Sequence, residues 1–151
     1  MKVETLMTKQ VAFCQPDSNL AEIGAKMWTA DCGIVPVVDA SGYLLGVVTD
    51  RDICMALTTR DVPASTVKAR DVMTGRVSCC EPDEEVVEAL EKMKTHQVRR
   101  MPVVEDGGRL IGILSLSDLL RETQYARTLP VQGDLLDTLH AVSEPANAPH
   151  Q

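Results

Sequence analysis

Two short stretches carry residues whose types and spacing suit chemistry. Residues 46–53 read GVVTDRDI and residues 112–119 read GILSLSDL. Each runs glycine, two apolar residues, a hydroxyl residue (Thr49 or Ser115), and an aspartate three positions later (Asp52 or Asp118). A strand ending in glycine–x–x–hydroxyl at a helix start gathers free backbone N–H groups, the positive end of the helix dipole and a hydroxyl donor. That combination suits a phosphate. An aspartate one turn into the helix can accept two hydrogen bonds from a ribose diol. The same residues also spell a capping box, in which hydroxyl and carboxylate satisfy backbone N–H groups reciprocally. Nucleotide clamp and helix cap both remain open at this point.

Other chemistry is sparse. The cysteines are Cys14, Cys32, Cys54, Cys79 and Cys80. An odd number without CxxC spacing suits a reducing compartment and plain buried or half-buried thiols. Adjacent Cys79 and Cys80 leave a zinc site or redox switch open, although adjacent thiols bind metal less readily than spaced pairs. His96, His140 and His150 are scattered. With no metal-ligand cluster and no nucleophile–base pair at recognisable spacing, the expectation is a protein that is not an enzyme and carries no metal or cofactor.

The elements that must position Thr49–Asp52 and Ser115–Asp118 occur twice. Met7 and Met73, Pro16 and Pro82, Met27 and Met93, Pro36 and Pro102, and Gly46 and Gly112 are all separated by 66 positions. LMTKQVAFCQPD aligns with VMTGRVSCCEPD, and IVPVVDASGYLLGVVTDRD with RMPVVEDGGRLIGILSLSD, with no gap. The chain is a tandem duplication: repeat 1 over 2–58, a linker over 59–67, and repeat 2 over 68–124.

Within each half, Pro16-Asp17 and Pro82-Asp83 are expected to open a helix with the aspartate as N-cap. Leu20, Ile23, Met27 and Trp28, and then Val86, Ala89, Leu90 and Met93, recur at helical spacing. Strands follow at 34–38 and 101–104, a glycine turn, a second strand, and a helix near Asp50 or Ser117. The fold class is α/β (α+β): two β-α-β-β-α repeats, each too small to bury both faces, packed about a pseudo-twofold axis. The remainder, 125–151, falls outside the repeat. GDLLDTLHAV is expected as one short helix and SEPANAPHQ as disordered.

Composition bounds the partners. The 151 residues are 44% hydrophobic and 3% aromatic, so the core is aliphatic. A formal net charge of −7 argues against nucleic acid and anionic membrane surfaces, and any anionic ligand needs a locally positive pocket. No apolar run approaches the roughly 20 residues of a membrane span, and MKVETLMT lacks the apolar stretch of a signal peptide. A cytoplasmic protein is expected.

The ordered set LMT/VMT, VPVVD/MPVVE and GVVTDRDI/GILSLSDL, present twice at one offset, resembles a pair of cystathionine-β-synthase (CBS) domains, the Bateman module, here standing alone. The resemblance spans about residues 2–124. It implies a regulatory or sensor module with clefts between the repeats for an adenosyl ligand: AMP, ADP, ATP or S-adenosylmethionine. Thr49, Arg51 and Asp52 then serve one cleft, completed by Val98, Arg99 and Arg100. Ser115 and Asp118 serve the other, completed by Cys32, Gly33 and Ile34. Ala12 and Phe13, or Ser78 and Cys79, flank the base. The resemblance also implies a homodimer and an unidentified regulated protein. The dimer is expected to use an apolar helix face around Leu20, Ile23, Met27, Val86, Leu90 and Met93. The alternative is a structural dimerisation module with no physiological ligand.

Overall fold

A computed structural model describes residues 1–125 and 132–145. The first repeat comprises α1 (Leu20–Ala30), β1 (Ile34–Val38), β2 (Leu44–Thr49) and α2 (Asp50–Arg60). The second comprises α3 (Val86–His96), β3 (Arg100–Glu105), β4 (Arg109–Ser115) and α4 (Leu116–Tyr125), followed by α5 (Gln132–Ser143). Each half thus carries one two-stranded sheet, and the α+β duplication stands. β1 and β2 pair antiparallel, with Ile34 opposite Thr49 and Val37 opposite Gly46. The extra strand expected at the head of each half shrinks to single parallel bridges, Cys14 with Val37 and Cys80 with Val103. Two residues beyond each bridge stands a proline, which has no N–H to extend a ladder.

Three sequence expectations are corrected. First, the helix caps are not Asp17 and Asp83. Asn19 caps α1 by accepting from the Glu22 N–H at 3.0 Å, and Glu85 is the N-cap of α3. Asp17 instead pairs with Lys68 (3.1 Å) and Arg70 (2.5 Å), which hold its carboxyl below the usual range, the Lys68 hydrogen bond first. Second, Trp28 does not join the buried stripe; it is 90% exposed. At 100° per residue it lies about 100° around the helix from Met27, outside the stripe of Leu20, Ile23 and Met27. Third, Leu20, Ile23, Met27, Val86, Leu90 and Met93 are all buried within one chain. They are core, so they leave no open face for a second copy.

The chain divides into two compact units whose membership crosses the repeats. One unit comprises Gln10–Val77 and Val104–Ile111. Its core gathers Leu20, Ile23, Val35, Val37 and Val48 with Val67 and Ala69 from the stretch after α2. The other comprises Met1–Lys9, Ser78–Val103 and Gly112 onward. There the chain head is tied to the second repeat by Val3 N–H to Glu84 O (3.0 Å) and Val86 N–H to Met1 O (2.9 Å). Lys2 pairs with Glu85 at 2.8 Å and holds that carboxyl down at about 2. The expected tail helix exists as α5, which packs against α3 and α4 and buries Leu135, Thr138 and Val142. The final residues expected to be disordered, from 146 on, lie outside the described residues.

Candidate functional site

In the first repeat, β2 delivers Thr49 directly to the start of α2. The Thr49 N–H donates to Asp52 Oδ2 at 2.9 Å, and the Asp52 N–H donates to Thr49 Oγ1 at 3.1 Å. In the second repeat, the Ser115 N–H donates to Asp118 Oδ2 at 3.0 Å and the Asp118 N–H to Ser115 Oγ at 3.2 Å. The Ser115 hydroxyl also donates to Asp118 Oδ2 at 2.6 Å. Both motifs are capping boxes, and each fixes a hydroxyl and a carboxylate side by side at a helix N-terminus. A cap and a clamp are therefore compatible at these residues: each aspartate spends Oδ2 on the cap and keeps Oδ1 for another partner.

The remaining carboxylate oxygens differ. Arg121 Nη2 pairs with Asp118 Oδ1, whereas Asp52 Oδ1 has no partner among the described residues. Arg51 is exposed, and its backbone N–H donates to Asp50 Oδ1 at 2.8 Å. The residues expected to complete the clefts sit at the helix starts of their own repeats. The Asp50 N–H donates to Gly33 O at 3.1 Å, and the Leu116 N–H donates to Arg99 O at 3.0 Å. Cys32, Gly33 and Ile34 thus lie by Thr49 in sequence-local register, and Val98, Arg99 and Arg100 by Ser115, neighbourhoods that the crossed assignment did not include. The Arg99 side chain reaches the Val142 carbonyl in the last turn of α5 at 3.4 Å.

What does cross over is the head of each repeat. Thr74 exchanges backbone hydrogen bonds with Val47 (3.1 and 2.9 Å), and Thr8 does so with Ile113 (2.8 and 3.0 Å). These pairings explain the glycines. A Cβ on Gly46 would stand 2.6 Å from Thr74 O, and one on Gly112 would stand 2.7 Å from Met7 Sδ and 3.0 Å from Thr8 O. Thr8 and Thr74 were missed in the sequence, although the glycine and the Met-Thr pair recurring together were the available signal.

The flanking residues keep the repeat's symmetry. Lys26 Nζ donates to Phe13 O at 2.6 Å, and Lys92 Nζ to Cys79 O at 3.2 Å. A groove of about 460 Å³ is lined by Val11, Ala12, Phe13, Ala25, Lys26, Thr29 and Ala30, so Ala12 and Phe13 do border open space. Ser78 and Cys79 are half-buried. Burial pushes the Cys14 thiol up to about 11 and the Cys80 thiol up to about 12, the latter aided by the Glu84 carboxylate. Cys54 is exposed rather than part of the core. Among the described residues no three His, Cys, Asp or Glu side chains gather to hold a metal ion. No described helix is long and apolar enough to cross a membrane.

The duplicated fold and the twin helix-start motifs define a tandem domain class. The CBS domain family model matches residues 3–59 and 69–125, and the chain belongs to that family. It is 37% identical over 124 residues to inosine-5′-monophosphate dehydrogenase of Methanocaldococcus jannaschii, covering 82% of this chain and 24% of that enzyme. It is 40% identical over 119 residues to the uncharacterized protein YlbB of Bacillus subtilis, covering 78% of this chain and 79% of YlbB. Among solved structures, the CBS domain pair of protein MJ0100, in complex with 5′-methylthioadenosine and S-adenosyl-L-methionine, superposes with TM-score 0.75 at 25% identity. That match covers 83% of this chain and 98% of the other. The CBS-domain protein ATU1752 of Agrobacterium tumefaciens gives 0.72 at 28% identity over 85% of this chain and all of its own, 100%.

Proposed function

We propose that the chain is a cytoplasmic regulatory module that binds adenosine-containing ligands, AMP, ADP, ATP or S-adenosylmethionine, one at each helix-start motif. The observation that carries this reading is the twofold construction of a hydroxyl and an aspartate at a helix N-terminus, on a strand whose glycine admits a Met-Thr segment. The adenosyl ligands held by the MJ0100 pair support the choice of ligand class. Thr49 and Asp52, with Cys32, Gly33 and Ile34 beside them, form one site. Ser115 and Asp118, with Val98, Arg99 and Arg100, form the other. The hydroxyl and the N–H groups of the helix start take the phosphate of a nucleotide, and the aspartate takes the ribose diol. Ala12 and Phe13, or Ser78 and Cys79, flank the base. The module performs no chemistry: the ligand favours whichever conformation or partner complex binds it more tightly, and the regulated partner is another protein.

Titration calorimetry tests this. At least one of AMP, ADP, ATP and S-adenosylmethionine is expected to bind, and Asp52→Ala and Asp118→Ala each to weaken one site about tenfold to a hundredfold, as for a charge-assisted hydrogen bond. Unchanged affinity in both variants, or no binding to the parent, overturns the reading. A second reading, a homodimerisation module without ligand, is favoured by one observation: the 90% exposure of Trp28. Sedimentation of wild type and Trp28→Ala separates it. A dimer lost on substitution, with no adenosyl binding, selects it.

A further inference from the structure

The two sites present opposite charge to a ligand. At equivalent positions around the helix starts, the first repeat carries Asp50, Arg51 and Asp52, while the second carries Arg99, Arg100, Asp118 and Arg121. Two carboxylates and one arginine thus face one carboxylate and three arginines. The backbone scheme is shared, so this difference decides which 5′ substituent each site takes.

The geometry sharpens the contrast. At the first site Asp50 occupies the first position of α2, and its carboxylate accepts from the Arg51 N–H at 2.8 Å. Asp52 accepts the Thr49 N–H. Two carboxylates therefore already answer the positive end of α2, the place a phosphate would use. Meanwhile Asp52 Oδ1 stands without a partner among the described residues, ready for a ribose hydroxyl. At the second site Leu116 and Ser117 open α4, so only Asp118 is acidic there. Its Oδ1 is held by Arg121, a side chain 68% exposed and able to swing to another anion. Arg99 is anchored by its carbonyl to the Leu116 N–H, and its guanidinium rests on the Val142 carbonyl, a neutral acceptor that a phosphate outcompetes.

We infer that the second-repeat site takes a 5′-phosphorylated nucleoside, whereas the first-repeat site takes a nucleoside whose 5′ substituent is uncharged or cationic. This rests on the proposed adenosyl-binding function. Arg99 and Arg121 are its specificity-determining residues on one side, and Asp50 is on the other. Coupling follows as well. A phosphate that recruits Arg121 frees Asp118 for the ribose, so phosphate and ribose help each other at the second site only.

The test uses the full chain with three probes: AMP, adenosine and S-adenosylmethionine. Asp118→Ala is expected to weaken AMP binding about tenfold to a hundredfold and to leave adenosine or S-adenosylmethionine bound; Asp52→Ala is expected to do the reverse. Both substitutions also break a capping box, so exposed positions outside the two capping boxes provide the second arm. Arg99→Ala and Arg121→Ala are each expected to weaken AMP roughly two- to fivefold, the span for one charge at a helix N-terminus, with adenosine unchanged. Asp50→Asn is expected to bring AMP to the first site with a gain of similar size. Added salt is expected to weaken AMP binding and spare adenosine. AMP bound equally well in both aspartate variants, or an AMP affinity indifferent to Arg99, Arg121 and Asp50, overturns the charge partition while leaving adenosyl binding intact. No binding of any probe to the parent chain overturns both.

Discussion

Where the second repeat carries Leu90, the first carries Gly24. Leu90 is 1% exposed on α3, the helix that packs against α5. Around a Cβ built on Gly24 there is nothing within 4 Å. Trp28, four residues on from Gly24, is bare, while its counterpart Lys94 is a partly covered charge paired with Glu91. The inner stripe tells the opposite story, because Leu20, Ile23 and Met27 and their counterparts Val86, Ala89 and Met93 are buried alike. Duplication preserved the face that makes each core. The outer faces diverged once α5 occupied one of them and left the other open.

The largest expected effect breaks this contrast from the covered side. Leu90→Ala is expected to destabilise the protein by about 2–5 kcal/mol in urea unfolding, the range for truncating a buried leucine. A cost within noise would mean that the covered face contributes nothing. Next come the glycines under the crossed heads. Gly46→Ala is expected to cost about 1–3 kcal/mol, since the new methyl meets the rigid Thr74 carbonyl at 2.6 Å. Gly112→Ala is expected to cost less, because its nearest neighbour is the flexible Met7 side chain. The reverse order in melting temperature would show that the second head is the more tightly held.

Smaller still are the caps. Asp52→Ala and Asp118→Ala are each expected to lose about 0.5–2 kcal/mol of stability. Asp118→Ala is the heavier of the two, because Ser115 loses two donors' acceptor rather than one. Equal melting temperatures would remove that distinction. Smallest is Gly24→Ala, expected to stabilise by roughly 0.5–1 kcal/mol, because it raises helix propensity in open space. A lower melting temperature for this variant would show that something does sit on that face.

Legibility in the sequence followed the same division. The 66-residue offset places α1 and α3 correctly because both are fixed by local periodicity, and the capping boxes are local as well. The helix caps lie two residues beyond the expected ones because Asp17 and Asn19 are both good N-caps, and the ion pairs of Asp17 with Lys68 and Arg70 lie about fifty residues away. Trp28 misled because apolar character was read as burial when its angle on the helix said otherwise. At the site, the hydroxyl–aspartate pairs were legible as a spacing. Gly33 beside Asp50 was not, since a backbone hydrogen bond between distant segments leaves no residue-type signature, and Thr74 beside Val47 left only the joint recurrence of the glycine and the Met-Thr pair. The helix of α5 was visible in GDLLDTLHAV, but nothing in those letters said that it packs on α3.

The exchange of heads also governs when the chain can finish folding. The unit built around the first repeat takes in Val104–Ile111, and the other joins Met1–Lys9 to Ser78–Val103 and to the described residues from Gly112. On a ribosome, Met1–Lys9 emerges long before its hydrogen-bond partners near residue 84 and residue 113. The first unit can gather its core once Val67 and Ala69 have been made, whereas the second cannot tie down its head until residues 84–86 and 113 have followed. Closing the second unit joins segments of high sequence separation, which slows it relative to a domain built from one continuous stretch.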